Sequence, residues 1–140
     1  MTRTTEPSLS NTLLQELSVR VTLASLWISL MLLYLYADVF SFYRPGMIDS
    51  VTAGNMGPFA VSQQALLLAS VLMLIPALMC AGSFLFPRAL TRRLHLGFGA
   101  LYTLVNIGNL AGETWLYYLL YGGVECLLTV TLIARAWRWR

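Results

Sequence analysis

Lysine is missing from this chain: all nine basic residues are arginine. Charge is scarce altogether, at 11% of 140 residues with only six acids. A net charge of +3 would suit a nucleic-acid partner. The arginines, however, stand at the ends of apolar runs, where membrane topology explains them and no nucleic-acid surface is needed. Cysteine is limited to Cys80 and Cys126, each inside an apolar run and neither in a CxxC, which argues against a disulfide framework or a zinc site. They read as small packing residues. The single histidine, His95, gives no metal cluster and, among arginines, is expected to touch lipid headgroups. No metal and no cofactor is expected. The opening stretch lacks the basic region, apolar region and small-residue cleavage site of a secretory signal. Met1 to Gln15 reads as a disordered polar tail, with Thr12 and Gln15 as a possible capping box for a helix starting near Leu13.

What the chain has is apolar sequence, 58% of its residues, with a mean hydropathy of +0.70. This is too apolar for a water-soluble domain and long enough for four spans. The expected fold is all-α, a four-transmembrane-helix bundle, with a polar tail over 1–17 and a membrane domain over 18–140. The spans are expected at about 21–42, 63–86, 94–112 and 115–137. Between Tyr43 and Ser62, Gly and Pro mark a long loop with a short helix at Ile48 to Val51, of a kind that often covers a site. Pro76 should kink the second span and free the carbonyl of Leu72. On that span Gln63, Ser70, Ala77 and Ala81 share a face of mostly small residues, expected to point inward. Arg88, Arg92, Arg93 and His95 are expected in the turn that follows. In the third span Gly108 and Gly112 form a GxxxG pair that offers a packing surface.

Orientation follows from the arginines. Arg3 and Arg20, then Arg88, Arg92 and Arg93, then Arg135, Arg138 and Arg140 fall on one side of four spans, and Arg44 alone on the other. The positive-inside rule then makes both termini cytoplasmic in a multi-pass cell-membrane protein.

The last span, from Trp115 to Trp137, organises the rest, because it carries an acid. Glu125 is about 10 residues from Trp115, so at 1.5 Å per residue it lies roughly 15 Å deep, near the bilayer midplane. A carboxyl there costs several kcal/mol unless it is compensated, so it calls for partners. Helical spacing supplies candidates: Tyr34 and Asp38 share a face with Trp27 and Met31 in the first span. Tyr102, Asn106, Asn109 and Glu113 share one in the third, and Tyr118, Tyr121, Glu125 and Thr129 one in the fourth. Asp38, Gln63 and Glu113 fall near the outer boundary and the asparagines deeper. The set descends from an outer mouth to Glu125. Below it stand only Ser25, Ser29, Thr129 and Cys80, so the expected pocket opens outward and is closed at its floor; a conducting pore would need polar lining in both halves. The plainer reading makes Glu125 a structural acid bonded to Asn106 or Tyr102, Asp38 a helix-end residue paired with Arg44, and Trp115, Tyr117 and Trp137 an aromatic belt.

Leu26-Trp27-Ile28, Tyr34-Leu35-Tyr36-Ala37-Asp38-Val39 and Leu116-Tyr117-Tyr118 with Gly123 and Glu125 resemble a family of small bacterial four-helix inner-membrane proteins of unknown function. The likeness runs from Arg20 onward. The layout is more distantly similar to DoxX-like four-helix proteins, some linked to quinone or thiol redox. The resemblance implies fold and location and brings no activity. Two function classes stay open. One is a binding module whose outward pocket takes a small amphiphile, namely a lipid, a quinone or an organic cation. The other is a structural or accessory subunit of a homo-oligomer or larger membrane complex. An enzyme using Glu125 as acid or base ranks last, because no nucleophile–base pair or metal set accompanies it.

Overall fold

A computed structural model describes residues 9–57 and 59–139. Arg3, Pro58, Arg140 and the first eight residues of the expected tail lie outside the described residues. Five helices follow one another: α1 (Leu9–Ser41), α2 (Met47–Thr52), α3 (Gln63–Leu85), α4 (Arg88–Leu110) and α5 (Leu116–Arg138). A hairpin of two short strands, β1 (Asn55–Met56) and β2 (Phe59–Ala60), lies between α2 and α3, pairing Asn55 with Ala60 and Met56 with Phe59. The short helix expected in the loop is therefore present as α2, and the hairpin is an addition to the expected all-α fold. Three helices, α1, α3 and α5, are long and apolar enough to cross a membrane.

α1 begins at Leu9, so Thr12 and Gln15 lie within it instead of capping it, and part of the stretch expected as tail is helical. Its 33 residues span about 50 Å, more than a hydrocarbon core requires. α3 starts cleanly because the Ser62 hydroxyl accepts the Ala65 N–H. It stops at Phe86-Pro87, since Pro87 disfavours helical geometry at the residue before it. α4 then begins at once. Arg88, Arg92, Arg93 and His95 are thus helical residues in its first two turns, not members of a turn. Arginine is a good helix former, and Pro87, whose missing N–H costs nothing ahead of a first turn, sets the start.

Each long helix turns one stripe inward. On α1 this is Leu23, Trp27, Leu30, Tyr34 and Ala37; on α4 it is Thr91, His95, Gly99, Tyr102 and Asn106; on α5 it is Gly122, Glu125, Thr129, Leu132 and Ala136. On α3 the buried residues are Pro76, Met79, Gly82 and Ser83. This corrects the expected inward face, since Gln63, Ser70 and Ala81 are exposed and Ala77 only half-buried. The inward stripe holds the larger Met79 and the Pro76 turn, so small size alone did not mark the contact. The Gly108–Gly112 pair is corrected too: Gly112 lies beyond α4 at φ +81°, which ends the helix, and nothing approaches Gly108. Close approach occurs instead at Gly99, where an added Cβ would lie 2.8 Å from Ile133 Cγ1 and 2.9 Å from Leu132 Cδ2, and at Gly122, against Leu110. These two glycines let α4 and α5 run side by side. α1 packs on both α3 and α5. The outer faces are apolar, with Leu67, Leu68, Leu78, Leu104, Leu120 and Leu127 exposed, the arrangement that suits lipid better than water.

The lower part of α1, the start of α4 and the end of α5 meet at one end, where Arg20 and Arg88 both stack on the Trp139 ring. Arg44 and Glu113 meet at the other. This second end carries α2 and the hairpin.

Candidate functional site

Glu125 sits on the inward stripe of α5 and is 4% exposed. It lines a cavity of about 100 Å³ together with Tyr34 and Asp38 of α1, Leu72 of α3, Tyr102 and Asn109 of α4, and Tyr118 of α5. Two of the neighbouring hydroxyls are committed elsewhere. Tyr34 donates to Asn106 Oδ1 at 2.5 Å, and Tyr102 donates to the carbonyl of Leu72. That carbonyl is available because Pro76, four residues on, has no N–H to offer it. Consequently no described residue hydrogen-bonds the Glu125 carboxyl, and the expectation that Asn106 or Tyr102 ties it down is corrected. Asn106 is fully buried behind Tyr34 and does not line the cavity; its Nδ2 has no hydrogen-bond partner among the described residues.

Asp38 has no counter-charge among the described residues either. The expected Asp38–Arg44 pair is replaced by Arg44–Glu113, in which Nη1 and Nη2 both reach Glu113 Oε2 at 3.0 Å. Arg44 Nε donates to the Tyr117 hydroxyl at 2.7 Å, and the guanidinium lies over the rings of Trp115, Tyr117 and Tyr118 at 5.0 to 5.2 Å. Burial pushes the Glu113 carboxyl up, but the backbone N–H groups of Trp115 and Thr114 and the Arg44 charge outweigh it and hold the group below its ordinary range. With Arg44 so saturated, Asp38 and Glu125 are two carboxyl groups facing one space with no cation between them.

Above this cavity lies a vestibule of about 710 Å³. Its walls are Phe42, Met47, Val51, Phe59 and Leu66 on the apolar side and Arg44, Glu113 and Asn55 on the polar side. Asp38 and Tyr118 line both spaces. The volume is that of an ordinary small-molecule site. Of the residues named from sequence, Tyr34, Asp38, Tyr102, Asn109, Tyr118 and Glu125 thus border one cavity and Glu113 the vestibule. Gln63 is exposed at the first turn of α3 and borders neither. Tyr121 is half-buried and stacks on Phe40 outside the cavity.

Sequence reasoning missed the Arg44 cage. Tyr117, read as belt, bonds Arg44 and contacts Ser41 Oγ at 3.2 Å. Its available signal was that Arg44 is the one basic residue between the first and third helices, while Glu113 is the one charge between Leu110 and Leu116. His95 was misplaced as a headgroup contact. It is fully buried, its Nε2 is 3.0 Å from Ser83 Oγ, and its ring meets Trp27 edge-on at 6.3 Å. Trp27 in turn meets Tyr102 at 5.4 Å. Polar side chains therefore continue below Glu125, buried, through the half expected to hold only hydroxyls and thiols. Among the described residues no group of His, Cys, Asp and Glu is placed to hold a metal ion, and both cysteines are free.

Helices with apolar outer faces, three of them long and apolar enough to cross a membrane, around a buried acid define a helical protein suited to a bilayer. The chain belongs to a family of unknown function (DUF6326), whose model matches residues 15–140. No curated protein and no solved structure matches it.

Proposed function

We propose that this is a four-span protein of the bacterial inner membrane, with both termini cytoplasmic, whose pocket binds an amphiphile bearing a small cationic head. α4 is the fourth span in this reading. It has the same 23 residues as α3 and α5 and runs against α5, and its three arginines, which lower its apolar character, lie in its first two turns where they reach headgroups. The observation that carries the ligand class is that the buried Glu125 carboxyl has no partner among the described residues, beside an exposed Asp38 that has no counter-charge among them either. An acid buried among apolar helices is retained at a cost of several kcal/mol, and a bound cation removes that cost. Tyr34, Tyr102 and Tyr118 offer ring faces that favour the same charge. The inner cavity takes the head alone, and the apolar wall of the vestibule suits a hydrocarbon body. Among the lipid, quinone and organic-cation classes, these carboxyls favour the cation.

Octylamine, with octanol as the uncharged match, tests this on protein reconstituted in phosphatidylcholine nanodiscs. Glu125→Gln should weaken octylamine binding by about tenfold or more, the scale of one charge-assisted contact, while octanol partitions equally into both samples. Equal octylamine affinity in the two proteins would overturn the reading.

A further inference from the structure

At the end opposite the acidic pocket, α1, α4 and α5 enclose a second cavity, of about 320 Å³. Arg88, Arg135 and Arg138 line it, with Trp139, Gln15 and Thr12 completing the wall. The one carboxylate among the described residues that line it, Glu16, is already taken by Arg20, through Nη2 at 2.9 Å and Nε at 3.2 Å. None of the three lining guanidiniums has a carboxylate within ion-pair distance among the described residues. Trp139 is buried, with Arg20 and Arg88 on its ring at 5.2 and 5.6 Å, so one wall and one of the cations are held in place before any ligand arrives. Three forks with no carboxylate partner among the described residues, converging on one concavity, are more than orientation in the membrane requires, since that depends on charge count near the helix ends and not on convergence.

We propose that this cavity is a binding site for a phosphate group. Guanidinium forks match phosphate oxygens two at a time, and neutral Gln15 and Thr12 can bond the substituents beside them. The group has two natural sources, the headgroup of an anionic phospholipid and free phosphate. The lipid source rests on the bilayer reading above; the phosphate source does not.

Phosphatidylglycerol retention, read by native mass spectrometry, and inorganic phosphate binding, read as thermal stabilisation in neutral detergent, separate the two. Arg135→Gln with Arg138→Gln should lower the affinity for whichever source binds by about tenfold or more. Arg93→Gln, an exposed charge that does not line the cavity, should leave it unchanged. Stabilisation by phosphate in detergent assigns the site to the free anion, and retention of phosphatidylglycerol alone assigns it to lipid. Equal losses in the Arg93 variant would show diffuse charge instead of a site and overturn the proposal, as would undiminished binding in the double variant. An unchanged melting temperature of the double variant in phosphate-free neutral detergent separates lost binding from lost folding. Failure here leaves octylamine binding at Glu125 untouched, so the two readings fall separately.

Discussion

Charge pairing decides the chemistry of individual residues here. Arg44 borders the vestibule with Asp38 and Glu113 and pairs with Glu113, which leaves Asp38, and Glu125 in the adjoining cavity, for something else. The choice follows from geometry. Glu113 stands just before α5, where its Oε1 also takes the N–H groups of Thr114 and Trp115 at 2.8 and 3.0 Å. A carboxylate with three kinds of donor outcompetes one without any. Because the folded protein holds Glu113 below its ordinary value of 4.5, its contribution to stability is fully present above that pH and is lost as pH falls through the lower folded value. Glu113→Gln should therefore melt earlier than the wild type at neutral pH, with the gap closing below about pH 4.5. A gap that stays constant or widens on acidification, in thermal unfolding followed by circular dichroism, would contradict this assignment. Residue-level partners of this kind were the least legible part of the sequence. Helical spacing placed Glu125 and Asp38 on inward faces, but which acid the lone outer arginine would choose depends on where two loops meet.

Elements were legible wherever a backbone rule applied. Pro76 announced a freed carbonyl at Leu72, and the fold supplies Tyr102 from α4 to answer it. The start of α4 and the inward face of α3 were misread because arginines resemble a turn and small residues resemble a packing seam. Pro87 and the helix propensity of arginine set the first, and packing against the neighbouring helices settled the second. The Pro76–Tyr102 link is itself testable as a cycle. Tyr102→Phe removes the donor and leaves the Leu72 carbonyl unsatisfied, which should cost about 1 kcal/mol. Pro76→Ala restores a backbone N–H four residues after Leu72, so Tyr102→Phe should cost clearly less in that background. Equal costs in the two backgrounds, from unfolding in detergent, would mean that the tyrosine hydroxyl contributes nothing through that carbonyl.

At the scale of the whole molecule the two ends have opposite character. One gathers Arg20, Arg88, Arg135 and Arg138 round Trp139; the other gathers Asp38, Glu113 and a vestibule of aromatic and aliphatic side chains, with Arg44 neutralised. This polarity was fully legible in the sequence, because it needs only the count of arginines at the ends of apolar runs. The vestibule was not, since it depends on how α2 and the hairpin fold over the mouth. In a bilayer, arginine-rich ends stay on the cytoplasmic side, where anionic lipid and the membrane potential both favour them. Under the proposed orientation the acidic pocket would draw from outside the cell and the basic one from the cytoplasmic leaflet. Single cysteines in a background carrying Cys80→Ala and Cys126→Ala read this directly. In intact spheroplasts, a membrane-impermeant maleimide should label Asp49→Cys on α2. It should label Asn11→Cys and Arg93→Cys only after lysis, and all three parent positions are exposed. Labelling of Asn11→Cys without lysis would reverse the supply of both cavities. Labelling of Arg93→Cys on the side opposite Asn11→Cys would mean that α1 and α3 do not both cross, and the four-span scheme would fall with it.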